Sequence, residues 1–138
     1  MRSQRDSAVW SAFLALLCCT SPTAPTFTTS ITTVPLYSSL PALSVDRSAD
    51  TLRISWWIGT NEPCYDFAAA AAARHDTLVV TVEANRRDGF CEQVGADFSY
   101  TVTVIGVSSA QHALRVMYDR HGPPTYVETA LEQPLAAP

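Results

Sequence analysis

The chain has 138 residues, with nine basic and 13 acidic side chains and a formal net charge of −4. The only adjacent basic pair is Arg86 and Arg87, so the sequence lacks the basic stripe that nucleic-acid binding requires. The length suits a single domain with a modest hydrophobic core.

The N-terminus has the layout of a secretory signal. Arg2 and Arg5 precede an apolar stretch from Ala8 to Cys19, and small and polar residues follow it. This order matches the charged start, apolar region and cleavage site of such signals, and the stretch is shorter than the roughly 20 residues that span a bilayer. We predict a signal peptide at residues 1–24 and a secreted or periplasmic protein. The alternative is a buried N-terminal helix.

Two cysteines close the apolar stretch and leave the mode of export open. Cys18 and Cys19 follow the apolar run, which resembles a bacterial lipoprotein signal, in which a cysteine at this place is lipidated. Plain secretion or periplasmic release is the first interpretation. Lipidation at Cys18 or Cys19, with anchoring at the cell envelope, is the alternative, and membrane contact is then expected only through that anchor.

Residues 25–49 are dominated by Ser, Thr and Pro, a composition typical of linkers. The segment Thr26–Val34 also contains Phe, Ile and Val, which favour strands together with Thr. A linker and an edge strand are therefore equal alternatives here. The folded domain is expected at residues 50–130, with a tail at 131–138.

Alternating side chains predict a series of strands from residue 50 onward. Leu52, Ile54, Trp56 and Ile58 alternate with more polar neighbours, which indicates a half-buried strand. Similar alternation recurs at 77–84, 98–104 and 112–118, with turn residues between the segments. Short strands at this spacing are typical of sandwiches or barrels. We predict an all-β fold, an antiparallel sandwich of about six to eight strands.

The alanine run from Ala68 to Ala73 is the one segment where local propensity disagrees with this fold. Alanine has the highest helix propensity, but the run is short for a stable helix and leads through Arg74, His75 and Asp76 into a clear strand. We predict a strand over Cys64–Ala72, joined by a hairpin to the next strand.

Two cysteines remain once the signal is removed, Cys64 and Cys91. An even number of cysteines in an exported chain predicts a disulfide. A bond between these residues is worth about 3.5 kcal/mol by the chain-entropy estimate. A redox site is the alternative, but the spacing lacks the CxxC pattern of such sites.

Several short motifs between Trp57 and Tyr118 support a family resemblance. They are Thr60-Asn61-Glu62-Pro63-Cys64-Tyr65, the hairpin strand Thr77-Leu78-Val79-Val80, the second cysteine Cys91, and Tyr100-Thr101-Val102. This half of the chain resembles small exported bacterial Ig-like β-sandwich domains with one disulfide. The resemblance implies an Ig-like fold and an exported location, and it implies no activity and no catalytic residues.

Metal binding and hydrolysis are the alternatives from another functional class. Cys91, His112, Met117 and His121 are ligand types of blue-copper sites, but they are far apart in sequence, whereas such sites group most of their ligands in one loop. His75-Asp76 and Ser108-Ser109 lack the local signature of a nucleophile. We therefore expect no enzyme activity, no cofactor and no metal.

Trp57 is the strongest functional lead. If Trp56 faces the core, Trp57 faces outward beside Arg53 and Ser55, because neighbouring strand residues point to opposite faces. Outward Trp and Arg are enriched at binding hot spots; shielding of Trp57 by another segment is the alternative. We predict a non-enzymatic exported binding or structural module of the bacterial cell envelope, with an envelope protein or glycan as partner. The alternative is a small secreted hydrolase or a cupredoxin-like metal-binding protein.

Overall fold

A computed structural model of the chain describes residues 24–122 and 125–137. The predicted signal up to Thr23, with Cys18 and Cys19, lies outside these residues. Within them, no helix has the length and apolarity needed to cross a membrane. The described strands are β1 (Thr28–Leu36), β2 (Ser44–Ser48), β3 (Thr51–Thr60), β4 (Tyr65–Arg74), β5 (Thr77–Arg86), β6 (Ala96–Ile105), β7 (Ala113–His121) and β8 (Tyr126–Pro134).

The eight strands form two four-stranded sheets. Sheet A has the order β1-β6-β3-β2, and sheet B has the order β4-β5-β7-β8. The predicted all-β sandwich of about six to eight strands is confirmed. One end of the sandwich carries the loops 61–64 and 87–95, and we call it the disulfide end; the opposite end carries the tight β2–β3 and β4–β5 turns.

Strict alternation along the central strands builds the core between the sheets. Each strand turns every second side chain inward, because the side-chain period of a strand is two. Sheet A buries Leu52, Ile54, Ile58, Tyr100, Val102 and Val104. Sheet B meets them with Leu78, Val80, Val82, Leu114 and Val116.

The alanine run is a strand, as the sequence predicts. It lies in β4 and pairs antiparallel with β5 through the hairpin at His75 and Asp76. Ala69 and Ala71 pack against the core cluster, whereas Ala70 is exposed on the outer face. Tertiary pairing with β5 therefore overrides the helix propensity of alanine.

The prediction of a wholly antiparallel sandwich is wrong for one pair of strands, since β5 and β7 run parallel. Between them the chain crosses to sheet A and runs back along the molecule as β6. One intervening strand reverses the direction of the chain, so β7 enters sheet B running the same way as β5. Immunoglobulin domains have two antiparallel sheets, and this pair departs from that arrangement.

The Ser/Thr/Pro-rich segment contributes two strands to sheet A. Of the two alternatives for Thr26–Val34, the structure has the strand, which pairs as β1 with β6 over nine residues. The second strand, β2, was not predicted and forms a hairpin with the first half of β3. The sandwich therefore begins before residue 50, and β8 extends it to Pro134, into the predicted tail.

The predicted disulfide is confirmed. Cys64 and Cys91 are bonded, with 6.0 Å between their Cα atoms. The bond joins the residue before β4 of sheet B to the loop that leads into β6 of sheet A. Such bonds form and persist in oxidising compartments, so the bond indicates an oxidising, extracellular environment.

Candidate binding face

The outer face of sheet A is rich in hydroxyl groups. Residues that pair across a sheet share a face, so the strand register defines this surface row by row. We call it the hydroxyl face. Its Ser and Thr residues are Thr28, Ser30, Thr32, Ser44, Ser48, Thr51, Ser55, Ser99, Thr101 and Thr103.

One row of the hydroxyl face consists of hydroxyl residues on all four strands. Thr32 of β1 pairs with Thr101 of β6, Thr101 with Ser55 of β3, and Ser55 with Ser44 of β2. The Ser55 and Thr101 hydroxyls lie 3.0 Å apart. Neighbouring strands are spaced about 4.8 Å and same-face residues about 6.7 Å along a strand. The face therefore presents a regular array of groups that both donate and accept hydrogen bonds.

Few charges interrupt this array. Arg53 and Asp46 are exposed cross-strand neighbours in the next row, and Asp97 stands opposite Gly59 near the disulfide end. The Ser44 hydroxyl donates a hydrogen bond of 2.8 Å to the Asp46 carboxylate. The hydroxyl face is thus polar with only a small net charge.

Trp57 lies on the hydroxyl face, in the row formed with Ser99 and Val34. The register places Arg53 and Ser55 on this face as well. The indole is half-buried, and its Cζ3 atom lies 3.6 Å from the point where a Cβ would stand on Gly59. The indole therefore reaches along the strand toward Gly59, at ordinary van der Waals distance from that point.

A groove of about 420 Å³ adjoins the hydroxyl face at Trp57. It runs between the second half of β3 and strand β8, and it is lined by Trp56, Trp57, Ile58, Gly59, Tyr118, Glu128, Thr129 and Ala130. In the described sheet, β2 pairs only with Thr51–Ser55. The end of β3 therefore has a strand partner on one side alone, which leaves room for the groove.

Aromatic contacts hold the groove wall in place. Trp56 packs against the core, and its ring centroid lies 6.3 Å from that of Tyr118. The Tyr118 hydroxyl donates a hydrogen bond to the backbone carbonyl of Trp57 and lies 3.2 Å from the Tyr100 hydroxyl. Burial raises the pKa of Tyr100 to about 12, against a smaller lowering by the contact with Tyr118. The groove wall is therefore linked to the core by contacts with the two tyrosines between the sheets.

The carboxylates near the disulfide end have structural partners. Glu62 is buried and forms a two-point ion pair with Arg86, which raises the pKa of that guanidinium. Asp66 lies 3.6 Å from Arg87 at the surface. The sequence did not predict the Glu62–Arg86 pair, because the two residues lie 24 positions apart and no local pattern links them.

The candidate copper ligands are not brought together as a site in the described part of the chain. Cys91 is held in the disulfide, so its thiolate is not free to bind copper. Among residues 24–122 and 125–137, no cluster of three or more His, Cys, Asp and Glu side chains is placed to hold a metal ion. His75 occupies the β4–β5 turn with a φ of 56°, which the tight hairpin explains.

A second hollow, of about 500 Å³, lies at the disulfide end. Tyr37, Val94 and Phe98 contribute to its lining. Tyr37 is 95% exposed, and Phe90, in the loop that also carries Val94, is 96% exposed. Aromatic side chains on loops are typical of protein contacts, so this surface is the main rival to the hydroxyl face.

We compared the chain with protein-family models, with curated proteins and with solved structures. No family model, no curated protein and no solved structure matches it.

Proposed function

We propose that this chain is an exported, non-enzymatic binding module of a bacterial cell envelope, and that it binds through the hydroxyl face and the adjoining groove. The observation that carries the proposal is the position of Trp57. This half-buried indole belongs both to the face and to the groove wall. A large aromatic side chain at a concave, partly polar surface is a typical binding anchor.

The compartment is inferred from the disulfide and from the N-terminal sequence. The Cys64–Cys91 bond suits an oxidising environment, and the first residues match an export signal. The layered sandwich and its single disulfide also support an Ig-like variant whose second sheet contains a parallel pair. A fold of this kind hosts many functions, so the function is argued from the face.

The absence of catalysis is inferred from the surroundings of the carboxylates. Glu128 is the one carboxylate among the described residues that line the groove. Glycosidase chemistry needs two carboxyl groups flanking the scissile bond. Glu62 is instead buried against Arg86, on a loop at the disulfide end. These positions favour binding over bond cleavage.

Co-sedimentation with the insoluble envelope fraction of the source bacterium tests the proposal. We expect the purified protein to sediment with this fraction, and we expect Trp57→Ala to lose most of that binding while it stays folded. Phe90→Ala is the matched control, because it removes an aromatic side chain that is almost fully exposed in another part of the surface. Envelope binding that survives Trp57→Ala and fails in Phe90→Ala would contradict the proposal, as would release of soluble fragments from the fraction.

A further inference from the structure

The composition of the hydroxyl face bears on the kind of partner that it binds. Ser is depleted in protein–protein interfaces, and Ser and Thr are under-represented among their hot spots. The hydroxyl face instead has Ser or Thr on all four of its strands, with one complete row of Thr32, Thr101, Ser55 and Ser44. Such a surface is a poor match for a protein partner and a good match for a polyhydroxyl ligand.

A polyhydroxyl ligand can use the hydrogen-bonding positions that the internal bonds of Ser44, Ser55 and Thr101 leave open. Each Ser or Thr hydroxyl can donate one hydrogen bond and accept others, and it rotates to suit its partner. A sugar hydroxyl has the same properties, so the two surfaces can pair without a fixed pattern of donors and acceptors. The spacing of about 4.8 Å between strands offers a contact at every strand that the ligand crosses.

The charges and the aromatic groups of the face further restrict the class of ligand. Arg53 and Asp46 are neighbours of opposite sign, and Asp97 adds one negative charge, so the face does not attract a strongly charged polymer. Trp57 supplies an apolar ring beside the hydroxyl rows, and Trp56 and Tyr118 extend aromatic surface into the groove. An indole suits the apolar face of a sugar ring, because its body is apolar and its N–H is polar.

The shape of the surface favours the interior of a long chain over a chain end. The row through Thr101 and Ser55 begins and ends at exposed residues, Thr32 and Ser44. A polymer can therefore enter and leave the face on both sides.

We propose that the partner is a neutral envelope polysaccharide, which lies across the strands of sheet A with one sugar ring on Trp57. This inference rests on the proposed function and specifies the ligand class of the same surface. It assigns hydrogen bonding to the row that contains Ser55 and Thr101 and stacking to Trp57.

The experiment uses the same envelope fraction after two chemical treatments. One portion is digested with protease, and the other is oxidised with periodate, which cleaves the vicinal diols of sugar rings. We expect binding of the purified protein to survive protease, to be lost after periodate, and to persist at about 0.5 M salt, where charge attraction is largely screened.

Matched variants test the surface itself. Thr101→Val removes one hydroxyl from the face with little change in shape, and we expect roughly 3- to 10-fold weaker binding. Thr81→Val makes the same change on the outer face of sheet B and should leave binding unchanged. Trp57→Ala should weaken binding by about 30-fold, and Trp57→Phe should restore most of it.

The outcomes distinguish failure of the polysaccharide proposal from failure of the proposed binding function. Binding that is lost after protease and survives periodate overturns the polysaccharide and leaves the proposed function standing with a protein partner. Loss of binding at about 0.5 M salt would contradict the proposal that the ligand is neutral. Equal losses in Thr101→Val and Thr81→Val overturn the assignment of the hydroxyl face. No binding to the untreated fraction overturns the proposed function, and the polysaccharide falls with it.

Discussion

The two outer faces of the sandwich both belong to four-stranded sheets, and their side chains differ in chemistry. Sheet A presents hydroxyl rows, Trp57 and few charges. Sheet B presents Ala70, Val79 and Met117 around a shallow hollow of about 340 Å³, bordered by Arg74 and Arg115. Both are four-stranded sheets that bury their inner sides in one core. The outward side chains distinguish the proposed binding face from the outer face of sheet B.

Two charged groups on the outer face of sheet B pair with each other. Arg115 of β7 lies 3.1 Å from Glu132 of β8, an exposed ion pair that raises the pKa of Arg115. Such surface pairs contribute little to stability. Exposure by itself does not mark a binding surface; the proposed face also has an aromatic side chain, Trp57, and a row of four hydroxyl residues.

Removal of the disulfide that joins the two sheets should have the greatest effect on stability. Replacing Cys64 and Cys91 together by alanine removes the bond between the two sheets' strand ends, and we expect a loss of about 2–5 kcal/mol in the free energy of unfolding. Chemical denaturation measures it. The variant should lose binding only to the extent that it unfolds. An unchanged midpoint in the double variant would show that the disulfide contributes nothing to the stability of the sandwich.

The second prediction separates the inward and outward tryptophans. Trp56→Ala should cost about 3 kcal/mol, because the ring packs on the core and against Tyr118. Trp57→Ala should cost under about 1 kcal/mol, a surface effect by comparison. Thermal or denaturant unfolding of the two variants measures the difference. Equal destabilisation would mean that Trp57 is a core residue, and the proposed face would lose its anchor.

The third prediction concerns the layer between the sheets. Burial raises the pKa of Tyr100 to about 12, above its ordinary value of 10.0. Folding therefore favours the neutral phenol, and this contribution is present below pH 10 and is lost as the pH rises through 12. We expect a fall of about 2 to 3 kcal/mol across that window. Denaturant unfolding of the wild type and of Tyr100→Phe at the lower and the upper end of this pH window measures the fall. An equal fall in the two proteins would show that Tyr100 is not its cause.

The smallest expected effect comes from the outer face of sheet B. Adding hydroxyls there, by Ala70→Thr and Ala72→Thr, should raise stability by under about 1 kcal/mol, because Thr favours strands more than Ala does. It should not give envelope binding to a Trp57→Ala background, since the hydroxyls would lack an adjoining aromatic anchor. Denaturant midpoints and sedimentation check both parts. Restored binding would show that any flat hydroxyl surface suffices.

The sequence predicted the strands and their inward faces well, because alternation is a local signal. Leu52, Ile54 and Ile58 are buried as expected, and the alanine run is a strand despite its helix propensity. The disulfide was predicted as well, because only two cysteines remain beyond the predicted signal.

The pairing between strands was harder to predict from the sequence. The parallel β5–β7 pair depends on which sheet β6 joins, and periodicity carries no such information. Strand β2 was missed because Ser44–Ser48 is short and lies in linker-like sequence. The hydroxyl rows join Thr32 to Thr101 and Ser55 to Ser44, so they appear only when the register is known. Arg53, Ser55 and Trp57 were grouped from β3 alone, because they lie on one strand.

The most direct test of the binding face is an NMR footprint on the ¹⁵N-labelled protein with solubilised envelope polysaccharide. We predict that the signals of the Trp57 indole N–H and of the Ser55 and Thr101 amides shift together. The amide signals of Ala70 and Thr81 of sheet B should stay unchanged. Shifts confined to Tyr37 and Phe90 at the disulfide end, or to sheet B, would contradict the assignment of binding to the hydroxyl face.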